Sequence, residues 1–216
     1  MNAIQTIAIW ALPVLFAITL HEVAHGRVAK IFGDTTAEAM GRLSLNPIKH
    51  IDPIGTILVP VVLIVVTGFG FGWAKPVPVD FNRLRNPKRD MIWVAAAGPV
   101  ANLVMSIFWA LIMKIGIVLS VHSEWIAVPM ILMGQAGIIV NLIFLLLNLL
   151  PIPPLDGGRI LAGLVPVRFS YALAKVEPFG LFIIFGLLAM GVLGLILNPP
   201  LQFMASLIGK LFGIPI

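Results

Sequence analysis

Long apolar runs separated by short polar stretches dominate the chain. Residues from Ile4 to about Phe32 are apolar almost throughout, and their polar side chains gather near the end distant from Met1. A helix rises about 1.5 Å per residue, so roughly twenty residues match a bilayer's hydrocarbon core; this run predicts a first span. Gly33-Asp34-Thr35-Thr36 stops it, and a mixed polar stretch follows through Lys49. Asp52-Pro53 opens a second apolar run to Gly72, interrupted by Pro60 and a glycine cluster. Segment 73–90, WAKPVPVDFNRLRNPKRD, is punctuated by proline with alternating valine and predicts a short strand or extended loop. Further spans are expected from about Met91 to Leu119 and from about Trp125 to Leu150, the latter broken by Pro151, Pro153 and Pro154. A short amphipathic segment runs to Glu177, and a last span covers Phe179 to Leu197. The tail 198–216 is apolar but broken by Pro199, Pro200 and Gly213. The fold class expected is an all-α polytopic membrane protein, a bundle of about 4–6 transmembrane helices with a small extended or β re-entrant element.

Composition excludes the alternatives. The 216 residues are 60% hydrophobic and 11% charged, and mean hydropathy is +1.07. Soluble domains carry about 45–50% apolar and about 25% charged residues. A water-soluble globule, a disordered tail and a nucleic-acid binder are therefore ruled out. The net charge of +5 comes from 14 Lys and Arg that suit the loops of a membrane protein. With no cysteine, disulfides, thiolate metal sites and cysteine catalysis are excluded together. The first twenty residues lack the charged region and cleavage site of a signal peptide, so the first apolar run is read as a retained span. Two basic loops, one with Arg27, Lys30, Arg42 and Lys49 and one with Lys75, Arg83, Arg85, Lys88 and Arg89, flank the run 53–72. The positive-inside rule puts both in the cytoplasm, which favours re-entry of 53–72 over a full crossing, with Met1 external and 156–177 cytoplasmic.

One motif carries chemistry. His21-Glu22-Val23-Ala24-His25 is H-E-x-x-H at the end of a helical run. Positions i and i+4 share a helix face, so both imidazoles point to one side at the spacing two neutral histidines need to bind one Zn²⁺. Glu22 lies about 100° round from His21, within reach of a water on the metal but poorly placed as a ligand, so it is expected to be the general base. Histidines in membrane helices also serve as hydrogen-bond partners of neighbouring helices. Two histidines and a glutamate clustered at membrane depth favour function, since each ionisable group there is costly unless paired or metal-bound.

A catalytic zinc takes about three protein ligands and a water. His50 and His122 are candidates for the third, but each sits in a polar loop where a solvated histidine needs no explanation. Asp52 precedes Pro53 and reads as a turn residue; Asp34, Glu38, Asp80, Asp90, Glu124 and Glu177 occupy hydrophilic or boundary segments. Asp156 differs, because Asn148 to Gly158 ends a long apolar run with three prolines and two glycines that free the backbone to approach a site. The plainer reading of Asp156 is an Asp-Gly turn or a helix N-cap.

HEVAH in an apolar helix, AAAGPVANL in the third apolar run and NLLPIPPLDGGRI in the fourth resemble the intramembrane zinc metalloproteases of the site-2 protease family. GRLSLNPIKHIDPIGTILVP and FGWAKPVPVDF resemble its compact prokaryotic branch, and the likeness spans most of residues 14–165. It implies a single intramembrane metalloprotease domain over residues 1–216, the motif-bearing core at about 1–165 and an extra span at 179–197. It also implies one Zn²⁺ per chain held by His21, His25 and Asp156, with Glu22 as catalytic base. Asn148 and Asn102 match motif asparagines suited to holding substrate backbone or the developing oxyanion; for Asn102, interhelical bonding is the equal alternative. No charged insertion leaves room for the PDZ or CBS modules of larger relatives, which leaves open how substrates are selected.

The activity so implied is hydrolysis of peptide bonds in or beside transmembrane segments of membrane-protein substrates, by a multi-pass protein of a prokaryotic cell membrane, with the lipid bilayer and no nucleic acid as partners. A helical substrate must be extended before attack, and strand addition along 74–81 or 38–45 is a physical means. The alternative is a membrane transporter or ion pathway using the same polar cluster. No inverted repeat is visible in the sequence to support it.

Overall fold

The computed structural model describes residues 2–59, 61–62 and 75–216. Among these residues the helices are α1 (Ala3–Ile31), a short α2 (Thr36–Ala39), α3 (Pro87–Leu119), α4 (Glu124–Asn148), α5 (Asp156–Leu164), α6 (Val167–Val176), α7 (Gly180–Ala189) and α8 (Val192–Phe212). A 3-10 turn at Glu177–Phe179 joins α6 to α7, and Val167–Ala189 is long and apolar enough to cross a bilayer. With α1, α3, α4 and α8 it makes five such helices among the described residues. The expected all-α membrane bundle is the architecture found.

The bundle is built inside out relative to a soluble protein. Along α3, Val100, Val104, Ile107, Phe108, Leu111, Ile115 and Val118 recur at helical spacing and are all exposed, a stripe suited to lipid. The opposite face buries Gly98, Asn102, Ser106, Trp109, Met113 and Gly116. Lipid offers no hydrophobic drive between helices, so close backbone approach has to hold them together. Glycines supply it. A Cβ on Gly134 would lie 2.6 Å from Met113 Cβ, and one on Gly137 would lie 2.1 Å from the Trp109 ring. Helices α1, α3 and α4 form the central trio; α5 packs on α3, and α8 covers α4 and α3 with Ala205 and Ile208 in the core.

Two expectations change. The last span does not run from Phe179 to Leu197. Gly191 adopts φ 72° and ends the helical path after Ala189, and α8 then continues through Pro199 and Pro200 to Phe212. The left-handed glycine is the breaker, whereas the prolines cost only amide donors inside a membrane helix. His50 is not solvated: it is buried, and its Nε2 donates to the Ser44 carbonyl at 2.8 Å. For segment 73–90 the extended-loop alternative is the one found at residues 75–80, with no strand ladder among the described residues. The expected re-entry of 53–72 falls largely outside the described residues; of that run, Pro53–Leu58 is π-helical and capped by Asp52, whose Oδ1 accepts from the Ile54 and Gly55 amides.

Asp34 ties the extended segment to the end of α1. Its buried carboxylate accepts from the Thr36 amide at 2.9 Å, the Thr36 hydroxyl at 2.5 Å and the Asp80 amide at 2.8 Å. Burial alone would raise its pKa, but the Thr36 bonds, the Asp80 amide and the charge of Arg83 outweigh it and hold the carboxyl below its ordinary value.

Two outcomes follow. Gly137→Val should lower unfolding free energy by about 1–3 kcal/mol in a denaturant titration in detergent, because the Trp109 ring cannot yield without moving α3. A depressed folded pKa stabilises above the unfolded carboxylate value of about 3.9 and is lost as pH falls through the folded value. Asp34→Asn should therefore be less stable than wild type at neutral pH, and melting curves should show that gap narrowing below about pH 4.

Candidate metal centre

The cluster forms where the C-terminal part of α1, the N-terminal part of α3 and the start of α5 meet. H-E-x-x-H lies within α1 as expected, and both imidazoles face inward, each residue only 8% exposed. Asp156 comes to them as the first residue of α5. The chain leaves α4, turns through Pro151–Pro154 and folds back so tightly that a Cβ on Gly157 would lie 2.3 Å from the Leu149 carbonyl oxygen, and one on Gly158 would lie 2.4 Å from Pro153 N. Only paired glycines permit that return. The Asp156 side chain does not cap its own helix; it is directed at the histidines.

Three ligand atoms converge. His21 Nε2 and His25 Nε2 lie 3.1 Å apart, and Asp156 Oδ2 lies 3.2 Å from the first and 3.3 Å from the second. His21 Nδ1 donates to Asn102 Oδ1 at 2.6 Å and His25 Nδ1 donates to the Val94 carbonyl at 2.7 Å. These acceptors place the imidazole hydrogens on Nδ1, so in the neutral rings both Nε2 atoms present lone pairs. Asp156 Oδ2 is buried and receives no hydrogen bond. Three electron-rich atoms thus face one another away from water, an arrangement that a cation makes favourable. A tetrahedral zinc bonded at about 2.0–2.1 Å would have its ligands about 3.3–3.4 Å apart, close to the observed triangle. The residues fit the metal.

Behind the ligands lies a relay. Asn102 is fully buried; its amide donates to the Ala17 carbonyl at 3.2 Å and to Asn141 Oδ1 at 3.0 Å, and Asn141 donates to the Gly137 carbonyl at 2.8 Å. Asn102 therefore sits behind His21, is not among the residues that line the cleft, and makes the interhelical bonds that were the alternative expected of it. Gly98 forms the floor: a Cβ there would sit 2.4 Å from His25 Nε2 and 2.6 Å from His21 Nε2. Asn148 does line the cleft, one of its amide hydrogens held by the Phe144 carbonyl at 3.0 Å.

The cleft itself is about 360 Å³, walled by Ile18, Phe144, Leu147 and Leu181. Glu22 faces it beside the histidines, and its Oε2 accepts from the Val77 amide at 2.7 Å. Pro76, Val77, Val79 and Phe81 form one side. Of the two segments expected to offer a strand edge, 74–81 borders the cleft through Pro76, Val77, Val79 and Phe81, while no residue of 38–45 lines it. The other third-ligand candidates lie elsewhere: His122 is exposed, Glu38 pairs with Lys30, Asp80 pairs with Arg83 at 3.3 Å, and Asp90 accepts from the Asn86 amide at 2.7 Å.

A family model described as peptidase family M50 matches residues 114–191, a stretch that contains Asn148 and Asp156. A Bacillus subtilis (strain 168) protein named "Putative zinc metalloprotease YwhC" is 40% identical over 208 residues, covering 92% of this chain and 88% of the relative. The chain belongs to peptidase family M50. "Putative zinc metalloprotease Rip2" of Mycolicibacterium smegmatis (strain ATCC 700084 / mc(2)155) is 33% identical over 175 residues, covering 81% of this chain and 64% of the relative. No solved structure matches. Within this M50 chain, sequence reasoning missed Gly98, Asn141, the Val94 carbonyl and the Val77 amide. Asn141 alone left a signal, a polar amide in the middle of an apolar run.

The second shell is open to test. Asn102→Ala should weaken zinc binding about 10–100-fold, read by competition with a chelating dye, because His21 loses the acceptor that fixes its ring. Gly98→Ala should abolish binding while the helical circular dichroism persists.

Proposed function

We infer that this chain is an intramembrane zinc metalloprotease that hydrolyses peptide bonds in or beside the transmembrane segments of membrane-protein substrates. The observation that carries the reading is the triangle of His21 Nε2, His25 Nε2 and Asp156 Oδ2, with edges of 3.1–3.3 Å. These three residues hold the metal. Zinc bound there supplies Lewis acidity toward the scissile carbonyl and a water acidified to a pKa of about 7.

The remaining steps belong to the protein. Glu22, adjacent to His21 and facing the cleft, accepts the proton of the attacking water as its oxygen bonds to the carbonyl carbon. It then delivers that proton to the amide nitrogen as the C–N bond breaks, so acid and amine products leave and the base is restored. Asn148 has an amide hydrogen and its Oδ1 left for substrate backbone at the cleft wall. The apolar walls admit an apolar peptide and keep bulk water from the reacting groups. A substrate unwound from its helix lies along 75–80, where Pro76 and Pro78 carry no N–H and the Pro76 carbonyl already accepts from Arg42 Nη2 at 3.3 Å. Residues 1–216 act as one domain of a multi-pass protein of the prokaryotic cell membrane, with the catalytic end on the side of the basic loops.

The test uses the full chain in phosphatidylethanolamine–phosphatidylglycerol vesicles with synthetic single-span peptides, products read by mass spectrometry. Wild type should hold about one zinc and cleave. Glu22→Gln should retain zinc and slow cleavage at least about 100-fold, while Asp156→Ala should lose both. Cleavage by Glu22→Gln at the wild-type rate would remove Glu22 as base, and full zinc in Asp156→Ala would remove Asp156 as ligand.

A further inference from the structure

We propose that the backbone amide of Val77 is a positioning group for Glu22, and that residues 75–80 form a strap whose task is to deliver that single N–H to the base. The proposal rests on Glu22 acting as general base. Among the described residues the Glu22 carboxylate makes no hydrogen bond except the one its Oε2 accepts from Val77 N at 2.7 Å. A glutamate side chain has three rotatable bonds, and half-exposed at a cleft it has little else to fix it. Among the described residues the Val77 bond leaves Oε1 available to meet water, and it stops the carboxylate from swinging away.

The strap is fixed at both ends and in the middle. Lys75 N donates to the His50 carbonyl at 3.0 Å, Asp80 N donates to Asp34 Oδ2 at 2.8 Å, and Arg42 Nη2 donates to the Lys75 carbonyl at 2.9 Å. Val77's side chain is buried against Gly26, which lies one turn beyond Glu22 on the same face of α1; a Cβ on Gly26 would stand 2.8 Å from Val77 Cγ1. Pro76 and Pro78 carry no N–H and hold their predecessors extended, so within Pro76-Val77-Pro78 one donor exists and its direction is set. The buried His50 and Asp34, neither of which touches the metal triangle, acquire a purpose as the strap's anchors.

The experiment replaces Val77 by its α-hydroxy analogue in the full chain, exchanging N–H for an ester oxygen with the side chain intact. On a single-span peptide that wild type cleaves in the vesicles above, the ester chain should lose about 10–100-fold in kcat with KM unchanged and zinc content unchanged. An ester chain with kcat unchanged, or raised because the strap blocks the base, overturns the proposal, as does a rise in KM alone. Glu22→Gln run in parallel separates the failures: if it cleaves normally the base assignment falls, and if it is inactive while the ester chain is fully active only the strap's role falls.

Discussion

Two imidazole lone pairs and a carboxylate oxygen repel one another, and in a medium without water nothing dilutes that repulsion. Yet they stand 3.1–3.3 Å apart between α1 and α5. Each neighbouring feature enforces the approach. Val94 and Asn102 hold the ring hydrogens at the back of the histidines, Gly98 removes the only Cβ that would intrude, and the Gly157-Gly158 return brings Asp156 from another helix. The fold is a device for assembling a site that is unfavourable until a cation occupies it, so the metal's binding energy is also energy of the folded bundle.

That requirement accounts for the packing. A site whose ligand atoms must meet within tenths of an ångström needs helices that do not slide. In lipid the restraint comes from glycines set against Met113 and Trp109, and from the chain of amides linking Ala17, Asn102, Asn141 and Gly137 across α1, α3 and α4. The same asparagine that orients His21 also bonds three helices. Of the two sequence readings of Asn102, the interhelical one is the one its bonds to Ala17 and Asn141 display, and its third bond holds His21.

What was legible in the sequence follows the range of the interaction that encodes it. Helical spacing is local, so H-E-x-x-H could be read from five residues, and the spans α1, α3 and α4 from runs of apolar side chains. Asp156 was legible for a related reason: prolines and glycines beside a lone carboxylate at a span's end are a local irregularity. His50 was misread as solvated because its burial depends on contacts with Ser44 and Lys75 that no local pattern announces. The end of the bundle was misread because two adjacent prolines looked like a stronger break than one glycine. The Val77 amide was illegible for a simpler reason, since a backbone group has no letter of its own.

Proline placement then takes on a sharper meaning. In a cleft that must hold an unwound peptide, a neighbouring strand with all its amides free would pair with substrate, and with other chains, at every position. Pro76 and Pro78 delete donors on either side of Val77, and the amides at 75, 77 and 80 are consumed by His50, Glu22 and Asp34. The segment can accept from a substrate's N–H groups but has almost no donors left to give. A helix being unwound loses its partners for N–H and C=O alike; a wall that satisfies only the N–H side leaves the substrate's carbonyls seeking donors or a Lewis acid. The metal site lies beside that wall, and a carbonyl turned from the strap is the group that hydrolysis needs.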